Sequence, residues 1–286
     1  MPAVPSAVPP LPTLPAQSPR RPAGPRGHRR IFAAGIRLYK WMLVKRRLPD
    51  RYVPRSDGRY GPLEGEPLTL LMLGDSLALG VGVRKREETF GSRLAQSVSE
   101  AMGLPVDLHV LARAGATTKS MQRQVASAAR YRPGIAVMII GSNDTLMPAP
   151  IGRCAQYFGR AVSQLRATGW EVVVMPCADP GSAPGFRTLV RWSASPRARR
   201  LARRQSRIAR HLGTLIAPSS VDDFRTRAAE LLSPDGVHPS PQGYAEHADR
   251  VLPIVLEAVT RHGRVPASAM AAAPSDCDRT TSSADM

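Results

Sequence analysis

Short apolar runs recur along this chain and limit the folds that it can adopt. The first, Leu68–Leu73, is apolar except for one threonine, and a strand of this kind needs both of its faces buried. Comparable runs are found at Val106–Leu111, Ile135–Ile140 and Glu171–Met175, with a weaker candidate at Gly213–Ala217. Stretches with helical spacing of apolar residues separate the runs. We therefore predict an α/β fold with five parallel strands in one sheet and helices on both faces.

The intervening helices are predicted from the same spacing. They are Phe90–Met102, Lys119–Tyr131, Cys154–Thr168, Arg197–His211 and Pro241–Arg261. With 286 residues, 43% of them hydrophobic, the chain can bury one sizeable core and still have flexible ends. The folded domain is predicted to span residues 67–262.

The two ends of the chain have a different composition. Residues 1–30 are rich in proline, which lacks a backbone donor and blocks helix formation, and residues 263–286 are small and polar. Both segments are predicted to be disordered.

No secretory signal and no apolar stretch of the roughly 20 residues that span a bilayer is recognised. Three cysteines are too few for a disulfide framework, so we expect a cytoplasmic protein.

The formal net charge of +18 is concentrated in two segments. Residues 20–59 carry thirteen Arg and Lys against two Asp, and residues 191–210 carry eight Arg and no acid. The rest of the chain is close to neutral. The predicted helix through the second segment puts Leu201, Ile208 and Leu212 on one side, which predicts an arginine-covered solvent face elsewhere. Neither interleaved aromatics nor a nucleic-acid-binding module is recognised, so we expect no nucleic-acid partner.

Residues 31–66 are predicted to form a basic amphipathic helix followed by a connector. Apolar residues recur at helical spacing between Ile31 and Val44, and basic residues flank them. An interfacial membrane helix has this pattern, so a peripheral contact of residues 29–47 with the anionic inner membrane surface is one interpretation. The other is a helix docked on the folded domain, which the modest amphipathicity favours.

Ligands of an open parallel sheet bind beyond the carboxyl ends of its strands, and several polar residues stand at those positions. Gly74-Asp75-Ser76-Leu77 follows the first strand, although Asp and Ser are also favoured helix caps. Gly115 follows the second strand, Asn143 the third, and Asp235 and His238 come after the fifth. Singly, each of these residues could serve a turn or a cap. Together, in this order at successive strand ends, they indicate a catalytic site.

Ser76 is the candidate nucleophile, because a neutral imidazole such as that of His238 can take its proton. Asp235, three residues before His238, can hold the other ring nitrogen and orient the imidazole. Backbone N–H groups of Ser76 and Gly115 and the Asn143 side-chain amide can act as an oxyanion hole for the charge that develops on an attacked carbonyl oxygen. This arrangement is typical of acyl-group chemistry.

The chain resembles the SGNH hydrolases, also called GDSL esterases and lipases, from about Leu68 to Arg261. The motifs that carry the resemblance are Gly74-Asp75-Ser76-Leu77, Gly115, Gly141-x-Asn143-Asp144 and Asp235-x-x-His238. The resemblance implies a flavodoxin-like three-layer α/β/α sandwich, with residues 67–262 as the catalytic domain. It also implies hydrolysis of a carboxylic ester or thioester, lipid esters included, without a cofactor or metal. Arg113 departs from the pattern, since many members have Asn two residues before this glycine.

Four other possibilities are left open by the residues themselves. An acyltransferase would use the same acyl-enzyme with an acceptor other than water. A basic membrane-surface-binding protein could retain a hydrolase scaffold, or a membrane-surface helix could deliver the site to lipid esters. Cys177 follows an apolar strand and could be a second nucleophile, although a buried cysteine is more often an inert small hydrophobe.

Overall fold

The computed structural model describes residues 44–49, 52–218 and 221–263 of the chain. The predictions for the proline-rich lead, for the basic helix up to residue 43 and for most of the tail lie outside these ranges. At the described end of the basic segment, Val44 forms an isolated antiparallel bridge with Phe186, and the Lys45 N–H donates to the Gly185 carbonyl at 2.8 Å. Residues 44 and 45 are thus held against the loop that contains Gly185.

Six strands of the described ranges form one sheet. They are β1 (Gly58–Tyr60), β2 (Leu68–Gly74), β3 (Val106–Val110), β4 (Ile135–Ile139), β5 (Glu171–Met175) and β6 (Leu215–Ile216). Their spatial order is β1-β3-β2-β4-β5-β6, with β1 antiparallel to β3 and the other neighbours parallel. The five parallel strands thus have the flavodoxin-like doubly wound order, and the boundary between β2 and β4 is the switch point at which ligands bind in such folds.

The antiparallel strand β1 corrects the predicted count of five strands. Its three residues were assigned to the connector, because a segment of this length is too short to show an alternating pattern. Pairing with β3 covers an edge that the five parallel strands would leave open. The Arg59 guanidinium strengthens this pairing by donating to both carboxylate oxygens of Asp107, at 2.9 and 3.1 Å.

Helices fill the connections between the strands. They are α1 (Ser76–Leu79), α2 (Phe90–Met102), α3 (Thr118–Ala128), α4 (Ser142–Leu146), α5 (Ile151–Ala167), α6 (Thr188–His211), α7 (Val221–Thr226), α8 (Ala228–Leu231) and α9 (Pro241–Arg261). Two 3₁₀ turns, Arg86–Glu88 and Pro180–Ser182, complete the set for the described residues. Among these helices, none has both the length and the apolar character needed to cross a membrane.

The sheet separates two hydrophobic cores, as its apolar strands predict. Leu70 and Met72 of β2 face α2 and α9, whereas Leu71 and Leu73 face α3, α5 and the C-terminal part of α6. All seven residues of β2 are buried, so this strand is the centre of the molecule. The predicted three-layer α/β/α arrangement is confirmed, and it holds the C-terminal end of β2 rigidly between two neighbouring strands.

Helix α6 begins nine residues earlier than the sequence predicts, at Thr188 instead of Arg197. The predicted helix begins directly after Pro196, and a proline inside a helix removes a hydrogen bond. Pro196 nevertheless lies inside α6 on its exposed side, where water can satisfy the carbonyl that loses its donor. The predicted arginine-covered face is confirmed, since Leu201 is fully buried while six arginines between positions 199 and 210 are exposed.

Candidate active site

Ser76 is the first residue of α1 and directly follows the turn that ends β2. This turn requires glycine at position 74, because φ is +139° and a Cβ atom there would lie 1.8 Å from the Ile139 carbonyl oxygen. The Asp75 N–H donates to that same oxygen at 3.1 Å, and Asp75 Oδ1 caps the helix by accepting from the Leu77 N–H at 3.2 Å. Asp75 is therefore a helix cap, and Ser76 is left half-buried at the carboxyl edge of the sheet.

A buried glutamine fixes the strand end before Ser76. Gln124 of α3 accepts from the Gly74 N–H through Oε1 at 2.8 Å and donates from Nε2 to the Gly74 carbonyl at 2.9 Å. The Arg113 N–H donates to the same carbonyl at 3.1 Å. The backbone of Gly74 is thus saturated with hydrogen bonds, which restricts the turn that carries Ser76.

Gly115 lies in a tight turn after β3, the strand beside β2. The Ala116 N–H donates to the Arg113 carbonyl at 3.0 Å, and Gly115 has φ +76° at the third position of this turn. A type II turn needs glycine there, because a side chain disfavours positive φ. The Arg113 side chain, at which the chain departs from the family pattern, is exposed and lies outside the buried part of the turn.

Asn143 lies in the short helix α4 at the end of β4, and its neighbour Asp144 fixes this helix to the glycine turn. The buried Asp144 carboxylate accepts from the N–H of Thr118 at 2.9 Å and from its hydroxyl at 2.7 Å. Burial raises the pKa of Asp144, and the two Thr118 hydrogen bonds oppose that rise. This contact joins the segments that contain Gly115 and Asn143, so their relative position is set by a buried hydrogen-bonded pair.

An arginine of α6 holds the other end of α4. Arg197 donates from Nε to the Thr145 carbonyl at 3.1 Å. Its Nη2 donates to the carbonyls of Met147 at 2.8 Å and Ala149 at 2.7 Å. The guanidinium therefore satisfies carbonyl groups at and beyond the C-terminal end of a helix, where a cation is favourable. Arg197 is a structural support for the Asn143 segment and is not part of the exposed arginine face.

Asp235 and His238 form a compact turn before α9. Asp235 Oδ2 lies 2.6 Å from His238 Nδ1, and Oδ1 accepts from the Ser233 hydroxyl at 2.8 Å and from the N–H groups of Val237 at 2.8 Å and His238 at 3.0 Å. Burial alone would raise the pKa of Asp235, but the hydrogen bond and charge of His238 and the backbone donors lower it below the ordinary value. The carboxylate is therefore held ionised, with one oxygen aimed at the imidazole.

Two glycines allow other segments to pack closely against this turn. A Cβ at Gly185 would lie 2.0 Å from the Asp235 carbonyl oxygen, and the Gly185 N–H donates to the Gly236 carbonyl at 2.8 Å. A Cβ at Gly82, where φ is +120°, would lie 2.3 Å from the carbonyl oxygen of Pro239, the residue that follows the histidine. Gly82 belongs to the loop after α1, so the Ser76 segment and the histidine turn meet directly.

The groups around the Asp75 carboxylate show that these segments converge. Its carboxylate is almost completely buried, and Oδ2 has no hydrogen-bond partner among the described residues. Burial raises the pKa of Asp75 to about 6; the Leu77 N–H, the charge of His238 and the side chain of Asn143 oppose the rise, whereas the charge of Asp144 adds to it. A buried carboxylate thus lies between the serine, asparagine and histidine segments.

The two described cysteines lie in apolar surroundings near the site. Burial raises the pKa of Cys177 well above the ordinary thiol value and that of Cys154 to about 11. A thiol in this state is a poor nucleophile, which supports the interpretation of Cys177 as an inert small side chain. Within residues 52–218 and 221–263, no three His, Cys, Asp or Glu side chains form a group that could hold a metal ion.

Sequence reasoning identified Ser76, Gly115, Asn143, Asp235 and His238, and the structure places them after β2, after β3, after β4 and, for the last two, in the turn before α9. It brings Asp235 and His238 into direct contact. Two supporting residues were missed. Gln124 gave a weak signal, because it is a polar residue on the same side of α3 as Met121, Val125 and Ala128. Arg197 gave none, because it is one of eight arginines in a strongly basic segment.

The chain is similar to known proteins in sequence and in fold. The sequence model of the GDSL-like Lipase/Acylhydrolase family matches residues 72–246. A curated relative, the GDSL-like esterase Rv1075c of Mycobacterium tuberculosis, is 33% identical over 232 residues, which cover 74% of this chain and 73% of the relative.

Two solved structures illustrate the likeness of the fold. The psychrotrophic esterase EstA from a Pseudoalteromonas species has a TM-score of 0.54 at 19% identity, covering 66% of this chain and 97% of that one. The lipase/acylhydrolase from Enterococcus faecalis has a TM-score of 0.53 at 16% identity, covering 68% of this chain and 96% of that one. Both alignments cover nearly the whole of the other protein, so the shared fold accounts for two thirds of the present chain.

Proposed function

The chain belongs to the GDSL-like lipase/acylhydrolase family and is an ester hydrolase of the SGNH type; from this premise we propose that Ser76, His238 and Asp235 form its catalytic triad. Ser76 is the nucleophile, His238 the general base and acid, and Asp235 the residue that orients the ring. The substrate is a carboxylic ester or thioester.

In the proposed first half-reaction, Ser76 Oγ attacks the acyl carbonyl and His238 Nε2 takes the hydroxyl proton. The oxygen of the tetrahedral intermediate accepts hydrogen bonds from the N–H groups of Ser76 and Gly115 and from the Asn143 amide. The imidazolium then gives its proton to the leaving alcohol or thiol as the bond to the acyl carbon breaks. The product is an acyl-enzyme on Ser76.

In the second half-reaction, water replaces the leaving group. His238 removes a proton from the water as its oxygen attacks the acyl carbon, and the same donors stabilise the second intermediate. Collapse of that intermediate returns the proton to Ser76 Oγ and releases the acid. No other reactant is needed, since each proton taken by the imidazole is given back within the same half-reaction.

One observation carries this proposal: Asp235 Oδ2 lies 2.6 Å from His238 Nδ1 while Oδ1 accepts three further hydrogen bonds. A carboxylate held in this way fixes the imidazole tautomer that carries its proton on Nδ1, which leaves Nε2 as the base. A purely structural turn would need no second contact from Oδ2. The arrangement therefore favours a catalytic role for this pair.

The test is Ser76→Ala, assayed on a short p-nitrophenyl ester and with a fluorophosphonate label. We expect turnover to fall by several orders of magnitude and the label to be lost, with Ser127→Ala as the control because its hydroxyl only donates to a carbonyl within α3. Retained labelling together with retained turnover in Ser76→Ala would contradict the assignment.

The acyltransferase alternative uses the same acyl-enzyme and is separated by its products. Adding a short alcohol to the ester assay distinguishes free acid from a new ester. We expect free acid to dominate at low alcohol concentration, because water is the acceptor in the proposed reaction.

A further inference from the structure

One face of α6 combines two exposed apolar side chains with a row of arginines. Leu189 and Trp192, at the start of the helix, are 75% and 78% exposed. At 100° per residue, these two positions fall in the same sector of roughly 140° as the exposed arginines that follow. These arginines are Arg199, Arg200, Arg203, Arg204, Arg207 and Arg210.

This face is strongly and uniformly positive. Helix α6 contains no Asp or Glu between Thr188 and His211, and none of the six exposed arginines forms an ion pair with a described residue. The other two arginines of the helix point inward, Arg191 to the Gly181 carbonyl and Arg197 to the α4 carbonyls. The exposed set is therefore free to meet negative charge from outside the described chain.

The apolar end of the face lies beside the candidate active site. Val190, between Leu189 and Trp192, packs in one small cluster with Leu146 and Val237. Leu146 ends the helix that carries Asn143, and Val237 directly precedes His238. Val190 thus packs beside the asparagine and histidine segments, while Leu189 and Trp192 face solvent and the arginines extend away from the site.

We propose that this face of α6 is a docking surface for an anionic lipid membrane, with Leu189 and Trp192 entering the headgroup region next to the active site. Tryptophan and leucine beside a row of basic residues is the pattern of helices that lie in a lipid interface. Arginine stems cover apolar surface while their guanidinium groups bind lipid phosphates. Each arginine near an anionic surface strengthens binding by about fivefold. The contributions of several arginines multiply, so the whole row can give strong binding.

The docking surface narrows the substrate class. Together with the proposed function, on which this step rests, it indicates that the substrates are esters located at a lipid surface. The binding itself does not depend on Ser76, so the two proposals fail separately.

The test uses the full chain with Ser76→Ala, so that no lipid is consumed, and measures co-sedimentation with vesicles. Phosphatidylglycerol mixed with phosphatidylcholine is compared with phosphatidylcholine alone. Changing Arg203, Arg207 and Arg210 to Gln should weaken binding to the anionic vesicles by roughly a hundredfold. The matched control changes the exposed Arg123, Arg130 and Arg261 to Gln and should weaken binding by no more than about threefold. These residues lie on or just after α3 and at the end of α9, outside the arginine face of α6, and charges outside a contact are screened over a Debye length of about 8 Å.

A second measurement follows the apolar end. In a Trp41→Phe background, brominated lipids should quench part of the tryptophan fluorescence. This quenching should disappear when Trp192→Phe is added, since the remaining Trp170 is buried. In the otherwise unaltered enzyme, Leu189→Ala with Trp192→Ala should slow turnover of a vesicle-bound ester about tenfold or more while leaving a soluble p-nitrophenyl ester unchanged. The control is Leu63→Ala, which removes an exposed leucine far along the chain from this helix.

Any of four results would overturn the docking proposal. The first is equal binding of the Arg203/Arg207/Arg210 variant and its control. The second is binding that persists in that variant but is lost when Lys45, Arg46 and Arg47 are changed to Gln. The third is tight binding of duplex DNA by α6 without lipid quenching of Trp192, which would assign the face to a nucleic acid. Loss of turnover in Ser76→Ala without any vesicle binding would leave only the proposed function standing.

Discussion

The side-chain amide of Gln124 pairs with both backbone polar groups of Gly74, accepting from its N–H at 2.8 Å and donating to its carbonyl at 2.9 Å. Both groups lie two residues from Ser76, in the turn where a side chain on Gly74 would collide with the Ile139 carbonyl. The position of the candidate nucleophile therefore depends on a residue of another helix. Without Gln124, the Gly74 N–H would be a buried donor that needs a new partner.

We expect Gln124→Leu to lower the free energy of unfolding by about 1–3 kcal/mol, because it leaves a buried backbone group unpaired. It should also lower kcat on a short p-nitrophenyl ester at least tenfold with little change in KM, since the serine is displaced rather than the binding surface. Urea unfolding and steady-state kinetics below the unfolding transition measure both effects. Gln156→Leu on the exposed side of α5 is the control. A normal kcat in Gln124→Leu would show that the two hydrogen bonds from Gln124 to Gly74 do not position Ser76.

Asp235→Asn is expected to lower kcat/KM by about 10⁴-fold. The amide oxygen can replace Oδ1 toward its three donors, but an amide N–H would face His238 Nδ1 and favour the wrong tautomer of the ring. Circular dichroism should show an unchanged fold, and Asp249→Asn, on the exposed side of α9, should retain full activity. If Asp235→Asn stayed within tenfold of the parent enzyme, the orienting role of this carboxylate would have to be abandoned.

Asp75 predicts a pH-dependent loss of stability. Its pKa in the folded protein is raised from 3.8 to about 6, mainly by burial, so the folded state binds this proton more tightly than the unfolded state. The contribution of Asp75 is therefore most favourable below pH 4 and is lost as the pH rises through 6. The change is on the order of 3 kcal/mol.

Asp75→Asn removes this titration while keeping an oxygen for the Leu77 N–H. The unfolding free energy of the variant, measured relative to the parent in urea at a series of pH values, should rise between pH 4 and pH 7. Asp249→Asn should show a constant difference over the same range. A difference for Asp75→Asn that is flat, or that falls with pH, would contradict the raised pKa.

Arg197→Gln should destabilise the protein by about 1–3 kcal/mol, because carbonyl groups of Met147 and Ala149 lose a charged donor. We also expect a fall in kcat, since the same carbonyls end the segment that carries Asn143. Arg199→Gln is a matched control two residues away on the exposed side of α6, and it should change neither quantity on a soluble ester. Equal behaviour of the two variants would remove Arg197 from the support of the site.

The parts of the fold that could be predicted are those with a strong local signal. Strands such as Leu68–Leu73 are uniformly apolar and lie at the centre of the sheet, so pattern and environment agree. The common location of the candidate site residues could be predicted, because the ends of parallel strands lie at one edge of the sheet. Reaction chemistry then restricts which residue types belong there.

The remaining features depend on contacts between distant parts of the chain. Gln124 reaches Gly74 across 50 positions and Arg197 reaches Met147 across another 50, and neither residue type reveals such a contact in a sequence. The early start of α6 was hidden for a different reason. Proline is a reliable helix boundary only where its lost hydrogen bond cannot be replaced by water.

The short strand β1 decides how this protein can be shortened. A recombinant fragment that began at residue 61 would retain the segments of the candidate active site but would expose the backbone edge of β3 along Val106–Val110. Open strand edges of this kind pair with other molecules. The three residues of β1, Gly58–Tyr60, lie outside the family-matched region 72–246. By covering the edge of β3 they nevertheless protect the molecule against self-association. Crystallisation or industrial versions of the enzyme should begin upstream of Gly58.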